Sequence, residues 1–378
     1  MSGEILYKAP DRRLDQAFRT GVSLHGHTLH SKERMWFFRA LAKSNAVVRW
    51  LINTHFRSRS DSISLDHEFS RIWWTPPLSA SQALDVEKGQ IETELGMQAL
   101  VSLTDHDNID GHLEVEHLFG SDHAPISMEW SVPHESTVVH LGVHNLPPRS
   151  ARSLAERMIA LSPGPRTAAF DELLQELATQ PGVLLVLNHP LWDLTGMGAV
   201  EHERSVTRFI RQYRGRIHAL EINGIRHYQE NRQVLTLSRD TAMPLVSGGD
   251  RHGVEPNAVL NVTNAATFAE FANEISRDRH SRIVVMPQYR EPHFRRLLQS
   301  MRQVLDDYPD HPRGWVHWSQ RFFRLRQNDL PRNFAEMFER KGQPLALRCF
   351  VLGVKACTSR RLYPALRLAS VGRRQPVL

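Results

Sequence analysis

The chain has 378 residues, 41% hydrophobic and 23% charged, with 21 Gly and 21 Pro. This is the make-up of a globular protein and excludes collagen-like, low-complexity and disordered classes. The length gives one large domain with an appendage, or two to three domains, and is ample for a sizeable core.

The formal net charge of +6 is unevenly spread: residues 291–378 hold 17 Lys and Arg against 7 Asp and Glu, while residues 1–290 hold 30 against 34. Such asymmetry fits an anionic partner, nucleic acid included, or a solvated basic helical face, the commoner case. The two cysteines, Cys349 and Cys357, form no CxxC pair and point to neither a disulfide framework nor a cysteine zinc site. The first residues carry no apolar stretch of the secretory type. No uncharged apolar run reaches the ~20 residues of a membrane span. The expected location is the cytoplasm, and the oligomeric state is left open.

Short apolar runs of strand type end abruptly in polar residues. In chain order, residues 21–24 lead into His25-Gly26-His27, 99–103 into Thr104-Asp105-His106-Asp107, 124–128 into Glu129, and 137–139 into His140. Further on, 183–187 lead into Asn188-His189-Pro190, 217–220 into Glu221-Ile222-Asn223, and 244–246 into Ser247-Gly248-Gly249-Asp250-Arg251-His252. Runs of this length, rich in Val, Leu and Ile and bounded by turn residues, suit buried parallel strands. Between them, residues 79–95 read as a helix with serine caps and Gly96 as its stop, and 170–179 as an amphipathic helix stopped by Pro181-Gly182. Residues 205–213, 228–240 and 268–277 are further helices. The alternation predicts an α/β fold with a parallel sheet, and at least seven strands favour a closed or nearly closed barrel.

Two segments break the rhythm. Residues 33–74 hold an apolar stretch, 35–52, interrupted by Arg39, Lys43 and Arg49, which predicts a helical insertion and a candidate lid. After about residue 290 the alternation stops, and Trp315, Trp318, Phe322, Phe323, Phe334, Phe338 and Phe350 mix with arginines in what reads as a helical extension. These aromatics are expected in a core or docking surface rather than as base-stacking platforms.

At the C-terminal rim of a parallel barrel, His25, His27, His106, Glu129, His140, His189, Asp250 and His252 would line one pocket. Neutral imidazoles with two carboxylates suit zinc, manganese or iron better than calcium or magnesium. Eight ligands exceed the coordination of one ion, so two or three divalent ions are expected. A lone His-x-His or Asp-x-His is more often coincidence than a metal site; the ordered combination is what carries weight.

In that order these motifs resemble the PHP family, the polymerase and histidinol phosphatase superfamily. The carriers are Leu24-His25-Gly26-His27-Thr28, Thr104-Asp105-His106-Asp107 with Gly111, Glu129, Val139-His140-Leu141-Gly142, His189-Pro190 and Gly249-Asp250-Arg251-His252. The resemblance implies a distorted, TIM-like (β/α)7 barrel over residues 15–290. The 33–74 insertion and a basic, helical extension over 291–378 lie outside the match. It also implies one ion on His25, His27, Glu129 and Asp250, a second bridged by Glu129 with His140 and His189, and a third on His106 and His252. The third ion needs a ligand soon after the first motif. Where the family has Asp or His, this chain has Lys32 and Glu33. Glu33 is the expected substitute, His30 a poorer one, and Lys32 would oppose a cation unless its ammonium points away.

The expected chemistry is hydrolysis of a phosphate ester by a metal-bound hydroxide. Two cations ~3.5–4 Å apart can hold a phosphate oxygen, acidify a water and stabilise the leaving oxygen. Asp105 is a candidate for orienting a ligand imidazole. Arg226 and Arg251 are candidates for clamping phosphate, though each reads equally well as paired with a carboxylate. Asn223 could bind substrate or cap the next helix. The expected substrate is a small phosphorylated metabolite or nucleotide. One alternative is a nuclease acting on RNA or DNA ends through the same ions and the basic segment. Another, motivated by Lys32, is a barrel that binds metal or phosphate without turnover.

Overall fold

The computed structural model describes residues 2–9, 13–35, 71–120, 123–164, 167–325, 330–340, 342–359 and 378. The chain runs through β1 (Ser2–Tyr7), β2 (Thr20–Gly26), β3 (Glu33–Arg34), β4 (Ile72–Trp74), α1 (Ala80–Gln90), β5 (Gln98–Leu103), α2 (Asp110–Phe119), β6 (Met128–His134), β7 (Thr137–His144), α3 (Ala151–Leu161) and α4 (Ala168–Thr179). It continues through β8 (Leu184–Asn188), α5 (Ala199–Tyr213), β9 (Ala219–Asn223), α6 (Tyr228–Thr241), β10 (Leu245–Gly248), β11 (Val259–Thr263), α7 (Phe268–Ser276) and β12 (His280–Val285). It closes with α8 (His293–Leu305), β13 (Phe322–Leu325), β14 (Pro331–Asn333), α9 (Phe334–Phe338) and α10 (Leu345–Cys357). Among the described residues no helix is long and apolar enough to cross a membrane.

The helix signals act as read. Ser79 and Gln82 form a capping box at the start of α1, and a wider turn carries the helix on through Leu95 to Gly96, whose φ of 70° ends it. The expected single (β/α)7 barrel does not form. Among the described residues the strands make three sheets, ordered β1-β12-β11-β2-β5, β10-β9-β8-β7-β6 and β14-β13-β4-β3, and none closes on itself. The reason lies in connection length and strand direction. Only Glu135 and Ser136 separate β6 from β7, too few for a parallel crossover, so the pair is an antiparallel hairpin. β7 pairs antiparallel with β8, and β11 antiparallel with both β12 and β2. Where the first two sheets meet, the isolated bridges Gly26–Arg251 and His106–Glu129 and a few further backbone hydrogen bonds join them, without a continuous ladder among the described residues.

The alternation of each strand separates the faces. Val22, Leu24, Leu184, Val186, Ala219 and Val246 pack together with α7, whereas Leu185, Leu187, Leu220 and Ile222 join a core with α3, α4 and α5. The third sheet joins the two ends of the 33–74 segment to the C-terminal segment, because β3 pairs with β4 and β4 with β13. The extension is therefore not purely helical. The predicted 35–52 helix and the lid fall on residues 36–70, outside those described. Trp318, Phe322 and Phe334 are buried in a core with Trp74, Leu305 and Val351, while Trp315 is exposed.

Phe322 sits at the centre of that core, 5.6 Å from both Trp318 and Phe334 between ring centroids and 6.2 Å from Trp74. Phe322→Ala is expected to cost about 3–5 kcal/mol, read as a lower midpoint in urea unfolding.

Candidate metal centre

Three residues of the site leave their strands with left-handed backbone: His25 (φ 66°), His189 (φ 28°) and Asp250 (φ 53°). Non-glycine residues adopt this region at a cost of order 1–3 kcal/mol, and here it re-aims each side chain. The ladder between β2 and β5 shifts register between Leu24 and Gly26, so His25 stands at a bulge. The seam beside it is tight: Asp250 donates its N–H to the His25 carbonyl at 2.6 Å, and His27 donates to Arg251 O at 2.8 Å.

The structure brings His25, His27, Glu33, His106, Glu129, His140, His189, Asp250 and His252 to one place. Glu129, fully buried at the start of β6, is the hub. Its Oε2 lies 3.2 Å from His25 Nε2 and from His106 Nδ1, and 3.5 Å from His27 Nε2. Its Oε1 lies 3.2 Å from His140 Nδ1 and from His189 Nε2. Asp250 Oδ1 approaches His25 Nε2 (3.6 Å) and His27 Nε2 (3.5 Å). Glu33 Oε2 lies 3.3 Å from both His106 Nε2 and His252 Nε2. On β3 the side chains alternate, so Glu33 is buried among imidazoles while Lys32, just before the strand, is exposed. Four overlapping groups of metal-capable side chains result: His25-His27-Glu129, His25-His189-Asp250, His27-Glu33-His252 and His106-Glu129-His140.

These residues fit metal ions on a direct test. His25 Nε2, His27 Nε2, His140 Nδ1 and Glu129 Oε2 are buried and make no hydrogen bond. Such atoms cost about 1–3 kcal/mol each when left unsatisfied, and all four face the shared centre. Nitrogen and carboxylate donors in this mixture suit zinc, manganese or iron.

Burial works against charge on Glu33, Glu129 and Asp250, yet the facing imidazoles hold all three below the usual carboxylate range. Burial also presses the imidazoles down. The carboxylates outweigh it at His25, raised well above its ordinary value, at His106, pushed up to about 10, and at His252, pushed up to about 9. Burial wins at His27, lowered to about 4, and at His140.

The remaining candidates have different settings. Asp105 does not touch an imidazole; it accepts the Thr28 N–H (2.6 Å) and hydroxyl (2.7 Å) and so fixes the turn after His27. A Cβ on Gly111 would stand 2.5 Å from its Oδ2, so the glycine makes room for it. Arg251 is buried against Glu87 (3.3 Å) and Gln90 (3.4 Å) and does not line the cavity. Arg226 does line it: the guanidinium lies 4.4 Å from the Trp192 ring centre and donates twice to Glu230, each at 2.8 Å. Asn223 donates to Glu221 (3.0 Å) and Asp250 (3.3 Å).

Glu221 was not singled out from the sequence. It sits 2.6 Å from His25 Nδ1, accepts the His189 N–H at 2.7 Å, and leaves no space for a side chain on Gly248. By occupying Nδ1 it turns His25 Nε2 toward Glu129. The signal was strand alternation: Leu220 and Ile222 face one core, which puts Glu221 on the opposite face with Ala219. Ser31, which donates to Glu33 at 2.5 Å and accepts the His106 N–H at 3.1 Å, had no sequence signal beyond its position.

No family model matches this chain, and no curated protein does. Solved structures resemble it distantly. PsfC of Pseudomonas syringae is 15% identical with a TM-score of 0.43, over 75% of this chain and 97% of its own. An amidohydrolase from Chromobacterium violaceum, with bound sulfate and no metal, is 16% identical with a TM-score of 0.33, over 47% and 83%. A candidate metal-dependent phosphoesterase from Bifidobacterium adolescentis is 14% identical with a TM-score of 0.32, over 53% and 91%. Likenesses this distant carry no assignment.

Two outcomes are expected. Glu221→Gln keeps the size of the side chain but removes its charge, and should weaken metal affinity about 10–100-fold in a chelator competition, with an unchanged circular dichroism spectrum. Metal ligation needs neutral imidazoles, whereas the facing carboxylates raise the proton affinity of His25, His106 and His252 in the metal-free protein. Metal binding at pH 7 should therefore release on the order of one to three protons, and affinity should rise with pH. Calorimetry in buffers of different ionisation enthalpy measures the release.

Proposed function

We propose that the protein is a metal-dependent phosphoesterase that hydrolyses a compact phosphorylated small molecule. The observation that carries this reading is Glu129, whose two oxygens face different imidazole groups within one buried cluster. A carboxylate so placed suits a bridge between ions, and the motif order resembles the PHP family. His25, His27, Glu129 and Asp250 would hold one ion, with Glu129 shared by a second on His140 and His189. Glu33, His106 and His252 would complete a third. Divalent ions held there supply Lewis acidity and lower the pKa of water.

The chain's own groups supply orientation. Arg226 offers a planar guanidinium at the cavity, suited to phosphoryl oxygens. Glu230 and Trp192 hold it in one plane. Glu221 and Asp105 position His25 and the His27 turn. Arg251 braces the Asp250–His252 segment through Glu87 rather than meeting substrate. In the net reaction a water oxygen forms a new bond to phosphorus, the ester P–O bond breaks, and the departing alcohol takes up a proton.

A nucleic-acid substrate draws less support. The cavity measures about 130 Å³. Within the basic C-terminal segment, Arg295 and Arg302 pair with Glu291 and Asp306, and Arg321 is buried on backbone carbonyls.

The test is phosphate release from phosphomonoesters, nucleotides and short oligonucleotides, with metal content measured on the same preparation. His25→Ala combined with His27→Ala should lower release by roughly three orders of magnitude or more. Bound metal without turnover of any member would favour the non-catalytic reading. A protein that takes up no metal on reconstitution would remove the basis of the proposal.

A further inference from the structure

The cavity over the metal centre has two unlike sides. Its floor is the cluster of carboxylates and imidazoles. The rest of its lining is largely apolar, Arg34 and Arg226 apart, and much of it comes from α8, which the motif match does not include. Leu297, Ser300, Met301, Val304 and Leu305 all line the cavity. Their spacing puts them on one face of the helix, with Ser300 the sole polar member. Trp192 and Ile225 continue the apolar lining on the other flank. Leu297, Met301, Trp192 and Ile225 are only half-buried, so apolar surface is left facing the cavity.

The wall is fixed in place. His293 Nε2 donates to Ile225 O at 2.9 Å. Arg296 donates to the carbonyls of Gly224 and Arg226, the latter at 3.1 Å, and its guanidinium lies 4.4 Å from the Tyr289 ring centre. These bonds tie α8 to the loop that carries Arg226. At the far end, Arg302 donates to Lys355 O (3.1 Å) and the Thr358 hydroxyl (3.2 Å), which anchors α8 to the end of α10.

The geometry points to a substrate whose esterified group is compact and apolar, an aromatic or branched aliphatic alcohol carrying one phosphoryl group. This rests on the phosphoesterase reading and goes beyond it by naming the substrate class. The phosphoryl group would meet the floor and Arg226, and the apolar group the α8 wall. The cavity, floor included, measures about 130 Å³, which calls for a compact esterified group. Sugar phosphates and nucleotides would leave their hydroxyls and ring nitrogens against Leu297 and Met301 without partners, which disfavours them.

The experiment uses the full chain loaded with Mn²⁺ or Zn²⁺ and measures calorimetric binding of two non-hydrolysable probes, phenylphosphonate and the more polar hydroxyethylphosphonate. Hydrolysis of phenyl phosphate and glycerol phosphate is followed alongside. Phenylphosphonate is expected to bind about tenfold or more tightly than hydroxyethylphosphonate. Leu297→Gln, outside the packed cores, should bring the two affinities to within about threefold, while Leu297→Met should keep the wild-type preference. Equal affinities in the wild type, or a preference unmoved by Leu297→Gln, would overturn the apolar wall as a specificity element. The phosphoesterase reading fails separately, if the probes bind with the expected preference and neither ester is hydrolysed. Absence of metal-dependent binding of both probes would overturn both.

Discussion

The structure depends on the neutralisation of four carboxylates that share one dry space. Glu33, Glu129, Glu221 and Asp250 are all at least nine-tenths buried and lie within one connected set of contacts. Burying an unpaired carboxylate costs several kcal/mol even after relaxation. Positive charge must therefore lie among them. Protons on His25, His106 and His252 can supply it, and so can divalent ions. A cluster with a mixed donor set and orphaned ligand atoms is better satisfied by the ions, because one divalent ion can meet several of these atoms at once whereas a proton lies between two. Folding of this region and metal affinity are thus two views of one free energy.

Such a cluster needs ligands that do not relax away from one another, and the fold supplies this by drawing them from all three sheets. β2 delivers His25 at a bulge and leads directly into His27, β6 and β7 deliver Glu129 and His140, and the ends of β8 and β10 lead into His189 and Asp250. The strained backbone at His25, His189 and Asp250 is held by hydrogen bonds across the seam and by Glu221. Glu33 arrives on β3, the edge strand of the third sheet; its neighbour β4 and, next in the sheet, β13 are packed by Trp74 and Phe322. The C-terminal segment thereby supports a metal-capable carboxylate from more than 280 residues away in the chain.

The site was legible in the sequence to the extent that it depends on local pattern. Apolar runs ending in His, Asp or Glu identify positions where a side chain leaves a strand, and that is a property of single segments. Sheet closure is not. Nothing in residues 124–144 except the length of the turn reveals that Glu129 and His140 lie on an antiparallel hairpin, with Glu129 at a strand's start rather than beyond its end. Glu221 was readable from alternation, but its partner, His25, is 196 residues away. Of the two readings open for Arg251, the structure realises the carboxylate pair: the residue shares its backbone with two ligands, yet its side chain meets Glu87.

Charge counting meets the same limit. The basic excess of residues 291–378 is real as composition, but a formal charge becomes a surface potential only when it lacks a partner and meets solvent. Arg296 is spent on the carbonyls of Gly224 and Arg226, and Arg321 on those of Thr75, Val304 and Asp306. Both guanidiniums are pulled down to about 10 by burial, the signature of cations used to fix architecture rather than to attract a polyanion. What they fix is the position of α8 over the cavity. These arginines thus hold in place a helix that lines the cavity with Leu297, Met301, Val304 and Leu305.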